Sequence, residues 1–171
     1  MFWPDEIARL ALIKQRLADA DKKRLWPYHL PSLAASRDML NEAESALKLD
    51  LDPRYAQFLS HANGWKGFYQ TVDLFGTNDL AGSEDMMAAL ELAQAVEENV
   101  LIAAGVTVAQ ILPIAWTRHD LDLFALTLPS SSNPGEVLWF AGSLIERFAN
   151  FDDYFLAMVD YNRAELARML Q

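Results

Sequence analysis

Near the start of the chain, residues recur at helical spacing: Ile7, Leu10, Ile13 or Lys14, and Leu17 follow Pro4, Asp5 and Glu6. Proline fits a first helical turn and acids favour its positive end, so the pattern predicts a helix ending near Ala20. Residues 21–31 are charged and then proline-bounded. Trp26, Tyr28 and Leu30 make this stretch too apolar for a free linker, and they are expected to pack on the domain. Leu33, Leu40 and Leu47, seven apart with Ala43 between, predict a second helix from about Ser32 to Leu47. Asp52 before Pro53 pairs a cap with proline at the first helical position. Tyr55, Phe58, Leu59 and Ala62 form the apolar stripe of a short third helix, which Asn63 and Gly64 end.

Bulky and β-branched residues from Phe68 to Phe75 read as a strand. Gly76, Asn78 and Gly82 mark loops. Ser83, Glu84 and Asp85 open a long helix over roughly 84–103, closed by Gly105. Three strand-like runs follow: Ile111–Thr117, Leu121–Leu128 and Glu136–Phe140. Residues 129–135, rich in Pro, Ser and Gly, form a mobile hairpin loop, and Gly142 turns the chain into a further strand, Leu144–Phe148. Asn150 caps the last helix, with Asp153 in capping-box position; Phe151, Tyr154, Phe155, Met158 and Val159 form its buried face. Neither a repeat nor a linker interrupts this order. The reading is a single α+β domain with a mainly antiparallel sheet flanked by helices. Residues 1–31 are a helix and connection packed on a domain of residues 32–171.

Composition narrows the function. The 171 residues fit one domain, and 52% hydrophobic with 22% charged residues is ordinary for a folded one. The net charge of -10 opposes nucleic acid, because phosphate binders carry a basic face. It suits a basic protein partner through electrostatic steering. The cluster Lys22–Lys23–Arg24 reads as a solvated turn. With no cysteine, thiolate metal sites and cysteine nucleophiles drop out. The first residues lack the basic start and apolar run of a signal peptide, and no apolar stretch approaches the ~18 residues that span a bilayer. A cytoplasmic, soluble protein with no membrane partner is expected, its oligomeric state left open.

Motifs for catalysis are absent: GxSxG, P-loop, GxGxxG and HExxH do not occur. His119, Asp120 and Asp122 have the chemistry of metal ligands but read better as a turn between strands. Gly64–Trp65–Lys66–Gly67 has GxxG spacing, yet no second helix or basic surround accompanies it. The pairs Glu84–Asp85, Glu97–Glu98 and Asp152–Asp153 lie side by side, so their carboxyls diverge and cannot face each other across a cleft. No cofactor, metal or catalytic residue is assigned. Trp65 lies in a glycine-bounded loop with Phe68 and Tyr69. It is either an interface anchor or a lid folded over the core. The residues proposed for partner contact are Asp79, Glu84, Asp85 and Asp120, with Trp65 and Tyr69 as anchors.

The segment Leu51–Gly64 resembles the signature of the SMI1/KNR4 (SUKH) superfamily, a Leu-Pro-like start followed by Tyr, Phe-Leu and Asn-Gly. Tyr55, Phe58, Leu59, Asn63 and Gly64 match it. Val72–Phe75, Ile111–Ala115, Asp120–Leu126 and Gly135–Trp139 resemble the family's strands in order. Phe148–Leu156, with Phe151 and Tyr154, resembles its closing helix. Asp52 departs from the usual proline, the 84–103 helix is long, and the first 30 residues add a helix. The resemblance implies helices around an antiparallel sheet and a binding protein without catalytic residues. In bacteria it implies an immunity protein that neutralises a cognate polymorphic toxin, a nuclease among the candidates. A regulatory or scaffold module with an endogenous partner is the alternative. Matching positions such as Tyr55, Phe58 and Phe151 are then core rather than contact.

Overall fold

A computed structural model describes residues 1–171. Its first helix, α1 (Trp3–Ala20), carries Pro4 in the first turn and acids beside it. It buries Trp3, Leu10, Ile13, Lys14 and Leu17. Helix α2 (Arg37–Leu47) starts later than the heptad spacing predicts, because Ser36 accepts from the Met39 amide and caps it there. Leu33 therefore lies outside the helix and is 92% exposed. Helix α3 (Pro53–Leu59) is capped by Asp52, whose carboxylate accepts from the amides of Arg54 and Tyr55. Tyr55, Phe58, Leu59 and Ala62 are all buried.

The sheet has six strands in chain order, every neighbouring pair antiparallel. They are β1 (Trp65–Tyr69), β2 (Val72–Leu74), β3 (Ile111–Trp116), β4 (Leu123–Thr127), β5 (Val137–Phe140) and β6 (Leu144–Phe148). The predicted strand over 68–75 is in fact a hairpin: β1 turns into β2 at Gln70, a non-glycine residue at φ 51°. The loop expected from Gly76 to Gly82 contains a one-turn helix, α4 (Thr77–Leu80). The long helix expected at 84–103 is two helices, α5 (Glu84–Ala95) and α6 (Glu98–Ala104). Val96 leaves the helical region at ψ 129° and breaks it. The 129–135 loop is tied down: Thr127 donates its hydroxyl to Asn133 O, Gln110 donates to Ser130 O, and Ser131 is buried.

Helices cover both faces of the central strands, so β3 and β4 are buried along their whole length. Pro113 sits within β3, at an irregularity in the β3–β4 register that tolerates its missing N–H. Helix α7 (Phe151–Met169) begins as predicted: the Asn150 side chain accepts from the Asp153 amide and donates to the Asp153 carboxylate. Its Phe151 and Phe155 meet Phe58 of α3, and Trp3 of α1 packs against all three, edge-on or tilted, at 5.1–5.9 Å. The first helix thus places an aromatic ring in the main core. The 21–36 connection runs as a strap beside α3 and β1: Ser32, Asn63 and Ala35 amides donate to Gly64, Leu33 and Leu59 carbonyls. Within it Trp26 and Tyr28 are half-buried, but Leu30, expected to pack, is 78% exposed.

Candidate partner-binding surface

The structure distributes the proposed contact residues over quite different environments. Trp65 is buried, and its indole N–H donates to the His29 carbonyl of the strap at 2.8 Å. It is a lid on the core and presents no ring to a partner. Asp79 is committed to α4, accepting from the Gly76 amide at 3.0 Å and the Ser83 hydroxyl at 3.0 Å. Glu84 and Asp120 are exposed. Tyr69 is half-buried.

Asp85 sits in a cleft of about 220 Å³ formed by the strap, the β1–β2 hairpin and the turn after β3. Lys66 bridges Asp85 at 3.1 Å and Asp73 at 3.3 Å; Arg118 reaches Asp85 at 2.5 Å and lies 5.8 Å over the Trp116 ring. Partial burial pushes the Asp85 carboxyl up, but hydrogen bonds and charge from Lys66 and Arg118 outweigh it and hold the group below its ordinary value. This cleft gathers His29 and His119, ninety positions apart in sequence, yet its carboxylates are already neutralised. No group of three or more His, Asp or Glu side chains is arranged to hold a metal ion. His119, Asp120 and Asp122 lie in the connection between β3 and β4. A larger groove of about 620 Å³ runs along α1 between Leu12 and Leu30; it is mostly apolar and lined by no acid.

A second cluster escapes sequence reasoning. Register places Phe124, Trp139 and Glu146 in one row across β4, β5 and β6, on the face covered by α7. Trp139, in β5, is only half-buried. Its ring stacks on Phe124 at 5.0 Å from within and meets Tyr69 at 6.3 Å and Tyr161 at 5.9 Å at the surface. Tyr69 and Tyr161 are 5.8 Å apart. Trp139 donates its indole N–H to Asp122 at 2.6 Å, and Tyr161 donates its hydroxyl to Glu146 at 2.5 Å. The Trp139–Glu146 pairing was open to inference from the tight turn at Gly142. The approach of β1 and α7 was not.

A family model, SMI1 / KNR4 family (SUKH-1), matches residues 34–157. The match runs from the end of the strap through the six strands into α7, leaving α1 outside it. No curated protein matches the chain. No helix is long and apolar enough to cross a membrane. A match over more than half of the chain, carried on a six-stranded antiparallel sheet flanked by seven helices, places the protein in the SMI1/KNR4 family (SUKH-1).

Proposed function

We propose that this chain is a non-catalytic binding protein, an immunity protein that holds a cognate toxin of basic surface, such as a nuclease, and blocks it in the cytoplasm. The family includes immunity proteins. The observation that carries the finer reading is the distribution of charge. The chain has a net charge of -10, and the acids Glu84, Asp120, Asp122 and Glu146 form no ion pair with its own cations. Unpaired carboxylates on an acidic protein steer and hold a cationic partner. Neutralisation then works by occlusion: the inhibitor covers the surface with which the toxin binds its own anionic substrate.

Co-expression with the product of the adjacent reading frame tests this. Growth should be restored, and the two proteins should form a complex at or below micromolar concentration. Continued death with no complex overturns the reading for that pair. A harmless neighbour, together with an endogenous binding partner, would favour the regulatory or scaffold alternative.

A further inference from the structure

We infer that the Tyr69–Trp139–Tyr161 ring cluster, with the carboxylates of Asp122 and Glu146 beside it, is the docking site for an arginine or lysine side chain presented by a protein partner. The inference rests on the reading of a basic partner and assigns the surface that receives it. Three half-buried rings from β1, β5 and α7 meet at 5.8–6.3 Å, and Phe124 backs the Trp139 ring from inside. Rings packed from below keep their orientation and offer what remains exposed to a visitor. Trp and Tyr are the side chains that most often anchor interfaces, and their ring faces attract cations.

The neighbouring carboxylates fix the chemistry of that visitor. Asp122 accepts from Trp139 through one oxygen, and Glu146 accepts from Tyr161 through one oxygen. Each therefore locks a ring and keeps a second oxygen for another donor. Neither forms an ion pair within the protein. Burial, with added repulsion from Asp120, pushes the Asp122 carboxyl above its ordinary value even though the Trp139 hydrogen bond opposes this. The cation near the cluster, Arg168, is engaged by Glu165, which also accepts from Gln70 at 3.3 Å. By contrast, Asp73 and Asp85 are bridged by Lys66 and Arg118. A guanidinium over the rings would donate to the free oxygens of Asp122 and Glu146 while stacking on Trp139, a geometry that suits arginine above all.

Two measurements decide the point. In the first, tetra-arginine peptide is titrated into the full chain, and the indole N–H of Trp139 is followed by nuclear magnetic resonance. A saturable shift is expected, absent with tetra-glutamine and weakened at least tenfold in D122N/E146Q, whose amide oxygens still accept from Trp139 and Tyr161. No shift at the cluster, or an equal shift in the double variant, overturns the site. In the second, the toxin that forms a complex with the wild type is tested against the same double variant and against D38N, which removes an exposed acid of α2. Tenfold weaker binding is expected for D122N/E146Q and less than twofold for D38N. Equal binding by D122N/E146Q removes this site while leaving the toxin-binding reading intact; if no toxin complex forms with the wild type in the co-expression test, that reading falls, and the peptide titration still decides the site.

Discussion

Asn63 and Thr77 are joined by two side-chain hydrogen bonds: the Thr77 amide donates to Asn63 Oδ1 at 2.7 Å, and Asn63 Nδ2 donates to Thr77 Oγ1 at 2.9 Å. The family's Asn-Gly signature thus does more than end α3. It clamps the first turn of α4 to the end of α3, and two glycines make the approach possible. A Cβ on Gly76 would lie 2.4 Å from Asn63 O, and one on Gly64 would lie 2.6 Å from Gly76 N. N63A should cost about 2 kcal/mol through two lost hydrogen bonds. G76A should cost more, about 3 kcal/mol, because backbone meets backbone. G105A, at φ +73° with open space around it, should cost only about 1 kcal/mol of strain. Urea unfolding measures all three, and a G76A cost no larger than that of G105A would refute the clamp.

Two fully buried tyrosines should respond oppositely to loss of the hydroxyl. Tyr55 donates to the Phe75 carbonyl at 2.7 Å. Tyr154 is equally buried, and its hydroxyl has no hydrogen-bond partner. Y55F should destabilise by about 1–3 kcal/mol, since it leaves a buried carbonyl unpaired. Y154F should be neutral or stabilising by up to about 2 kcal/mol, because it removes an unsatisfied polar group. Thermal unfolding of the two variants side by side checks this; a Y154F loss as large as that of Y55F would be the contrary result.

What was legible in the sequence was local. Asp52–Pro53 and Asn150 with Asp153 are caps written within four residues, and both helices start where those residues place them. Gly142 turns β5 into β6 as expected. The misreadings fall where the local signal is weak or a second one competes with it, as Ser36 rather than Ser32 caps α2. Gln70 turns the first hairpin without the usual glycine, and Val96 breaks a helix with no Pro or Gly near it. Leu33 matched a heptad by spacing alone. The candidate surface was less legible still. Nothing in the sequence brings Lys66 and Arg118 to Asp85, or Tyr161 to Trp139, because sheet register and helix packing create those neighbours.

The Asp85 cluster should behave as a modest surface network. The Asp85 side chain is 22% exposed and its cations 48–63% exposed, so solvent screens the pairing. D85A should cost no more than about 1 kcal/mol, and the difference should vanish in about 1 M salt. Because the folded carboxyl is held below its ordinary value, its contribution is fully present above that value and is lost as pH falls from there through the lower value of the folded state. Acid unfolding of D85A should show a shallower pH dependence than the wild type in that range. An undiminished dependence would show that other carboxylates carry the effect.

Lys14 gives the opposite dependence on pH. Its residue is 3% exposed; the ammonium donates to the Gly67 carbonyl of β1 and lies 5.5 Å over the Tyr28 ring, with no carboxylate paired to it. Burial therefore pulls its pKa down from 10.5 to about 8. Between those values the unfolded chain binds more protons at Lys14 than the folded one, so stability rises with pH across that interval. The penalty for burying the charge is greatest below about pH 8 and fades above it. Tyr55 and Tyr154 act the other way, but only above the ordinary tyrosine value of 10.0, since burial pushes both well up. The clear window is thus about pH 7 to 9.5, where this group should add about 2 kcal/mol to the wild type. K14M should remove that rise while keeping the fold. Urea midpoints at pH 7, 8, 9 and 9.5 for both proteins isolate the effect, and parallel curves would show that Lys14 titrates as an ordinary solvated lysine.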